Sequence, residues 1–372
     1  MRIGLNLLYL LPDVVGGTET YAAGLLQGLA ATSDADEFLV FVNRESAAWP
    51  LPEAPNIQRV VCPVSAGSQG VRYAYEQGRF VQLLAKHRVD LVHSFGYVAP
   101  LRAPCPSVVT IHDLNYRAFG DRMPLARRLA LAFFARQSAL RASRVLTVSE
   151  FSRREILDAY ALSPERVVVT HNAPREWNGL PGEGDAKLLA GLAEAGSPYI
   201  VAFSSTSPNK NIPRLLEAFA RAREQYRLPH RLVLVGRSAA ENGAEIPRDP
   251  DGAVRFTGYL SDSALHAVLA GAQLLAFPSL YEGFGLPVVE AMTLGVPVVC
   301  SDRASLPEVA GDAAVFFDPS STEEMAHKLA LVARDAALRA ELIEKGYANA
   351  GRFSWQATAR RTLQVYREVV AV

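Results

Sequence analysis

The sequence predicts an α/β protein built from two doubly wound parallel-sheet domains, and three observations predict it. Short β-branched apolar runs alternate with amphipathic helical patterns along the whole chain, as crossover-connected parallel strands require. The alternation lapses between Asn172 and Ser197, a stretch rich in Gly, Pro and Ala, and then restarts. The 372 residues suit about two domains. Two such halves imply a cleft between them, where ligands commonly bind.

In the first half, strands are expected over 2–8, 38–43, 57–61, 90–94, 107–111, 144–148 and 166–170. Helices are expected over 18–31, 71–87, 122–141 and 150–160. The second half reads as strands at 199–203, 231–236, 274–277, 296–300 and 314–317. Its helices fall at 212–226, 262–270, 286–294 and 322–346, with a last one near 354–371 after the break at Gly351 to Ser354. The first domain is therefore 1–175, the linker 176–195 and the second domain 196–353.

Composition narrows the function. Formal net charge is zero, so no overall field draws in nucleic acid. The three cysteines, Cys62, Cys105 and Cys300, have neither metal spacing nor a disulfide framework, which fits a reducing cytoplasm. Met1 to Asn6 reads as a first strand rather than a leader, and no apolar run reaches the ~20 residues that span a bilayer.

The most informative stretch is Tyr281-Glu282-Gly283-Phe284-Gly285-Leu286-Pro287-Val288-Val289-Glu290. Two carboxylates bracket a glycine-rich turn that runs into a helix, with Pro287 suited to its first turn. A helix N-terminus offers free N–H groups and partial positive charge to an anion such as a diphosphate. A carboxylate beside it can accept two hydrogen bonds from a sugar diol. The acids can also be ordinary surface charges, but a solvated helix start needs no aromatic between two glycines.

Other motifs are weaker alone. Gly16-Gly17 precedes a helix that Thr18 can cap, and the glycines allow close backbone approach to a ligand; a plain strand-to-helix turn is the simpler reading. His112-Asp113 ends a strand, where open α/β sheets place their sites: His112 can bond a substrate hydroxyl or a reacting group, and Asp113 can orient it or help close the interdomain loop, while the simpler reading is a His-Asp turn that caps the strand. Ser204-Ser205-Thr206-Ser207-Pro208-Asn209-Lys210-Asn211 gathers hydroxyls, a lysine and a helix start in one turn, suited to diphosphate oxygens or to simple capping. The segment 122–144 is basic and apolar: it reads as a core helix with a solvated arginine face, or as a helix lying on an anionic membrane. Asp34-x-Asp36 and Asp249-x-Asp251 are short acidic pairs in loops and read as no metal site.

Together these residues resemble the retaining glycosyltransferases of family four, which have the GT-B fold of two facing Rossmann-like domains and an E-x7-E motif. Glu282 through Glu290 match that motif. Gly16-Gly17 is similar to the family's glycine loop, Thr147 to Ser152 to its V-S-x-F-S segment, and His171-Asn172-Ala173 to its turn out of the first domain. Ser207 to Asn211 resembles its P-x-K-N turn, and Phe353-Ser354-Trp355 the start of its closing helix.

The resemblance implies roles. Lys210 neutralises the diphosphate of a donor, with Gly17, Ser205, Gly285 and Leu286 beside it. Glu282, Gly283, Phe284 and Gly285 hold the donor sugar, and Glu290 holds the ribose. The base lies against Tyr259 and Leu260. His112 lies on the sugar's reactive side, so His112 and Glu282 are the candidate catalytic residues, with Gly16 and Asp113 toward the acceptor. The helix 354–372 completes the first domain. Where many relatives have Gly-Arg or Gly-Thr before the lysine turn, this chain has Ser204-Ser205; Arg237 is a candidate to restore the charge.

The expected activity is metal-independent hexose transfer, of mannose or glucose, from a GDP- or UDP-sugar to a glycan or lipid-linked acceptor, with no cofactor. It implies a cytoplasmic protein, with peripheral contact to the inner membrane face as an option. Rival readings are a nucleotide-sugar epimerase of the same fold, a glycoside hydrolase and a non-catalytic nucleotide-sugar-binding protein.

Overall fold

The computed structural model describes residues 1–12, 14, 16–33, 35–120, 123–177, 182, 191, 197–236 and 252–371. Contacts divide the chain into two compact units, Met1–Ala173 with Phe353–Val372, and Pro174–Arg352. Pro174 and Arg175, placed by the sequence at the end of the first domain, therefore group with the second. Most of the expected linker, and Arg122, Asp34, Arg237, Asp249 and Asp251, lie outside the described residues.

The first unit runs β1 (Arg2–Leu7), α1 (Gly17–Thr32), β2 (Glu37–Val42), β3 (Ile57–Val61), α2 (Gln69–Gln77), α3 (Arg79–Lys86), β4 (Leu91–Ser94), β5 (Ser107–Thr110), α4 (Asn115–Ala118), α5 (Leu125–Arg141), β6 (Arg144–Thr147), α6 (Glu150–Tyr160) and β7 (Val167–Val169). Its strands are parallel in the order β3-β2-β1-β4-β5-β6-β7. The order reverses between β1 and β4, so their carboxyl ends flank a crevice. Ile3, Leu5 and Leu7 on one face and Gly4 and Asn6 on the other are all buried, as a parallel strand covered on both faces demands.

The second unit runs β8 (Tyr199–Ser204), α7 (Ile212–Tyr226), β9 (Arg231–Gly236), β10 (Val254–Gly258), α8 (Asp262–Ala270), β11 (Leu274–Phe277), α9 (Leu286–Thr293), β12 (Val298–Ser301), α10 (Leu306–Ala310), β13 (Ala314–Phe317), α11 (Thr322–Arg334) and α12 (Ala336–Ala350). Its parallel sheet has the order β10-β9-β8-β11-β12-β13, with the reversal between β8 and β11. A core of Ile200, Leu215, Phe219, Leu232, Leu274 and Leu329, among others, lies against one face.

Two expected helices are each broken in two. Helix 71–87 stops at Gly78 (φ −124°, ψ −86°), a backbone geometry that ends α2 and starts α3. Helix 322–346 is interrupted at Asp335, which takes an extended conformation; its carboxylate accepts the Leu338 N–H and caps α12. β10, α4 and α10 are short elements that the sequence pattern did not single out.

The final helix, α13 (Trp355–Val370), packs on α1 within the first unit. Thr358 Oγ1 donates to the His171 carbonyl at 2.6 Å, and the Tyr366 hydroxyl lies 2.5 Å from His93 Nδ1. Glycines let the helices approach this closely. A Cβ on Gly24 would stand 2.0 Å from Trp355 Cε2, and one on Gly28 2.4 Å from the Trp355 carbonyl oxygen. Gly24→Ala is expected to cost about 1–3 kcal/mol from overpacking, despite alanine's better helix propensity. A calorimetric scan checks this: the variant's first-unit transition should fall, while an unchanged transition would show that the packing can relax.

Candidate active site

The reversal of strand order in the second sheet assembles the site. β8 and β11 are neighbours, so the loops leaving their carboxyl ends, 205–211 and 278–285, meet. The Asn209 amide donates to the Tyr281 carbonyl at 3.0 Å, and the Asn209 carbonyl accepts from Leu280 N–H at 2.7 Å. Asn211, in a left-handed conformation (φ 54°), donates to the carbonyls of Pro278 and Pro319. Ser205 Oγ accepts from Ser207 N–H at 3.2 Å and keeps its own O–H to donate.

Lys210 and Glu282 meet at the centre. Lys210 Nζ donates to Glu282 Oε1 at 2.6 Å and stands 5.1 Å from the centre of the Phe277 ring. Both side chains are mostly covered, 22% and 15% exposed. The ammonium has three donors, so the ion pair leaves others for an anion. Next in the chain, Gly285 begins α9 at φ 101°. A side chain there would be strained, and its Cβ would press on Leu306 Cδ2 at 2.7 Å. Ser305, after β12, is within 2.9 Å of both the Glu282 and Phe284 carbonyls and gathers them on one side of the loop. Leu286, at the first helical position, has an amide with no carbonyl one turn back.

Glu290 lies about one turn into α9 and is 1% exposed. A buried carboxylate needs a partner. Arg175 supplies it: Nε donates to Glu290 Oε1 at 2.8 Å, while Nη1 donates to Asp262 Oδ1 at 2.6 Å. Asp262 opens α8, directly after the turn at Gly258-Tyr259-Leu260, where Gly258 has φ 70° and the Tyr259 side chain is exposed. Arg175, Asp262 and Ser305 carried no signal in the sequence, since each acts on a residue far away in the chain.

The remaining candidates belong to the first unit. Gly16, not Thr18, is the N-cap of α1: at φ 57° its carbonyl accepts from the Glu19 and Thr20 amides, so the helix starts at Gly17. His112 follows β5 and is buried. Its Nε2 lies 3.0 Å from the Phe95 carbonyl, which only accepts, so that nitrogen carries the proton and Nδ1 offers a lone pair. The Tyr21 ring stands edge-on at 4.7 Å. The Asp113 carboxylate, expected to orient His112, to help close the interdomain loop or to cap the strand, accepts from Tyr97 and from the Asn115 amide.

Burial lowers the His112 pKa to about 4, with the Phe95 carbonyl opposing. The imidazole is therefore neutral near neutral pH. Since the folded value lies below the ordinary 6.5, its contribution to stability is complete above about pH 6.5 and is lost as pH falls through 4. A nuclear magnetic resonance titration should show the His112 ring protonating near pH 4. A midpoint at 6.5 would contradict this environment.

Among the described residues, no group of three or more His, Cys, Asp or Glu side chains is placed to hold a metal. No described helix is long and apolar enough to cross a membrane.

Known proteins carry the same sequence features. Residues 15–173 match the profile of Glycosyltransferase Family 4, and residues 190–349 that of Glycosyl transferases group 1. The O-antigen chain mannosyltransferase B of Escherichia coli is 32% identical over 271 residues, covering 70% of each chain. The chain belongs to the group 1 glycosyltransferases. This glycosyltransferase, of the hexosyltransferase class, has the GT-B fold. Sucrose-phosphate synthase from Thermosynechococcus elongatus matches it with a TM-score of 0.79 at 19% identity, over 100% of this chain and 99% of that one. The Anabaena protein HepE, solved with UDP and glucose, matches with a TM-score of 0.74 at 20% identity, over 99% of each.

Proposed function

We propose that this glycosyltransferase moves a hexose, with retention and without a metal, from a nucleotide diphosphate sugar to a hydroxyl of a glycan or lipid-linked acceptor. The observation that carries the reading is the Lys210–Glu282 pair, 2.6 Å apart at the start of α9. A cation for the diphosphate and a carboxylate for the sugar stand side by side, at the junction a transferase must break.

When the bond from the anomeric carbon to the phosphate oxygen breaks, charge gathers on the diphosphate. Lys210 and the N-terminus of α9 stabilise it as preorganised donors. The acceptor oxygen bonds to the anomeric carbon on the same face, and its proton passes to the departing phosphate oxygen. Glu282 accepts hydrogen bonds from the sugar and is not a nucleophile in this scheme. Neutral His112 accepts a hydrogen bond at Nδ1 and positions the sugar rather than acting as an obligate base. Glu290 accepts from the ribose, and the turn at Tyr259 and Leu260 meets the base.

The Escherichia coli relative's name supports mannose as the hexose and a polysaccharide as the acceptor; the UDP and glucose in HepE support a nucleotide-sugar donor. A thermal-shift screen with GDP-mannose, UDP-glucose, ADP-glucose and dTDP-glucose tests donor choice. One of them should raise the melting temperature, and no response to any would count against the donor reading. Turnover without an acceptor would favour the epimerase instead.

The same reading includes peripheral contact with an anionic membrane face. The sequence favoured a core helix for 122–141, yet α5 buries only Ala135, Ser138 and Ala139. Leu125, Leu129 and Phe133, at successive i, i+4 positions, are 61%, 59% and 55% exposed. α5 also carries Arg127, Arg128, Arg136 and Arg141 and no acid, in a chain of zero net charge. Phosphatidylglycerol-containing vesicles should sediment the protein at least tenfold better than phosphatidylcholine vesicles, and Leu129→Ser with Phe133→Ser should abolish the difference. Equal sedimentation with both vesicle types would remove the membrane contact.

A further inference from the structure

We propose that Arg175 is the positioning residue of the nucleoside subsite: it holds the Glu290 carboxylate with one oxygen engaged and the other presented to the ribose. The inference rests on the reading of Glu290 as the ribose acceptor and goes beyond it by assigning a residue outside the E-x7-E stretch.

Four observations support it. Arg175 Nε donates to Glu290 Oε1 at 2.8 Å, and the only oxygen left without that bond is Oε2. The same guanidinium reaches Asp262 Oδ1 at 2.6 Å, so it spans from Glu290 to the first residue of the helix that follows the base turn. Its plane is further held from the side: the Trp177 ring centre is 5.4 Å from the guanidinium carbon, and Trp177 stacks on His266 of α8 at 5.0 Å and 18°. Among the described residues Nη2 has no hydrogen-bond partner, which leaves its two N–H groups to donate beside the nucleoside.

The energetics separate the two contacts. Asp262 is 77% exposed, so its ion pair contributes little to stability and serves to aim the guanidinium. Glu290 is 1% exposed, and there the pairing decides whether a charged carboxylate is tolerated. A diol offers two O–H donors to one carboxylate, so the orientation of that carboxylate sets how well a ribose is told from a deoxygenated sugar. Lysine cannot replace this arrangement fully, because a point charge cannot bridge two acceptors in a fixed plane.

The test is calorimetric titration of the full chain with UDP and GDP and with their 2′,3′-dideoxy counterparts. The wild type should bind the ribo form of whichever nucleotide binds more tightly than its dideoxy counterpart. Arg175→Gln should reduce that preference about tenfold, and Arg175→Lys by less. If the wild type shows no preference, the ribose reading of Glu290 fails. If the wild type shows it and both variants keep it undiminished, the role of Arg175 fails. Tighter ribonucleotide binding by Arg175→Gln would also overturn it, since the guanidinium would then be competing for the carboxylate. Should Arg175→Gln not fold, the reduced preference of Arg175→Lys decides the matter.

Discussion

Lys210→Ala is expected to lower kcat/KM for the nucleotide-sugar donor by about 10²–10³-fold, the usual loss when one preorganised donor to a developing charge is removed. The position is demanding. Asn209 and Asn211 tie the turn to the loop after β11, and Phe277 lies under the ammonium. The side chain therefore points at one place before any ligand arrives. Removal also leaves Glu282, 15% exposed, without its ion-pair partner beside an incoming diphosphate. Binding should change as well, weakening nucleoside diphosphates by about 1–3 kcal/mol while leaving nucleosides nearly unaffected. Steady-state kinetics and calorimetry check both parts; equal losses for nucleoside and diphosphate would contradict the phosphate role.

The second large effect belongs to Glu290. Glu290→Ala takes the buried partner from the Arg175 guanidinium and leaves it only the exposed Asp262 carboxylate, which should cost about 1–3 kcal/mol. The second unit's melting transition should fall accordingly and ribonucleotide affinity should drop. Removing both partners together, in a Glu290→Ala and Arg175→Ala double variant, should recover part of the stability because no mostly covered guanidinium is left short of its buried partner, and exposed Asp262 is solvated on its own. It should not recover nucleotide binding. Additive stability losses in the double variant would mean that the pair is not coupled. The asymmetry separates a structural ion pair from a ligand-binding carboxylate.

The site was legible where a motif follows a strand directly. Lys210 and Glu282 each sit just beyond an apolar run, and the strand order β8-β11 converts those two positions into neighbours. That adjacency follows from doubly wound topology, so a reader of the sequence can anticipate it. Arg175 was not legible, because its partner Glu290 is 115 positions away and no local periodicity marks the pairing. Ser305 escaped for the same reason. The breaks at Gly78 and Asp335 were hidden because apolar residues keep helical spacing across both. The exposed apolar face of α5 could not be told from a core face, since Leu125, Leu129 and Phe133 have the spacing of a buried stripe. At α1, Thr18 suggested a capping hydroxyl, but glycine's access to positive φ let Gly16 open the helix earlier.

Transfer with retention from a nucleotide sugar is what the Lys210–Glu282 geometry is proposed to perform. The most direct measurement is product analysis by nuclear magnetic resonance, with the donor chosen by thermal shift, a mannose-terminated glycan acceptor, and EDTA present. Nucleoside diphosphate release should depend on the acceptor, and the new linkage should carry the donor's anomeric configuration. An inverted linkage, or release equally fast without acceptor, would contradict it.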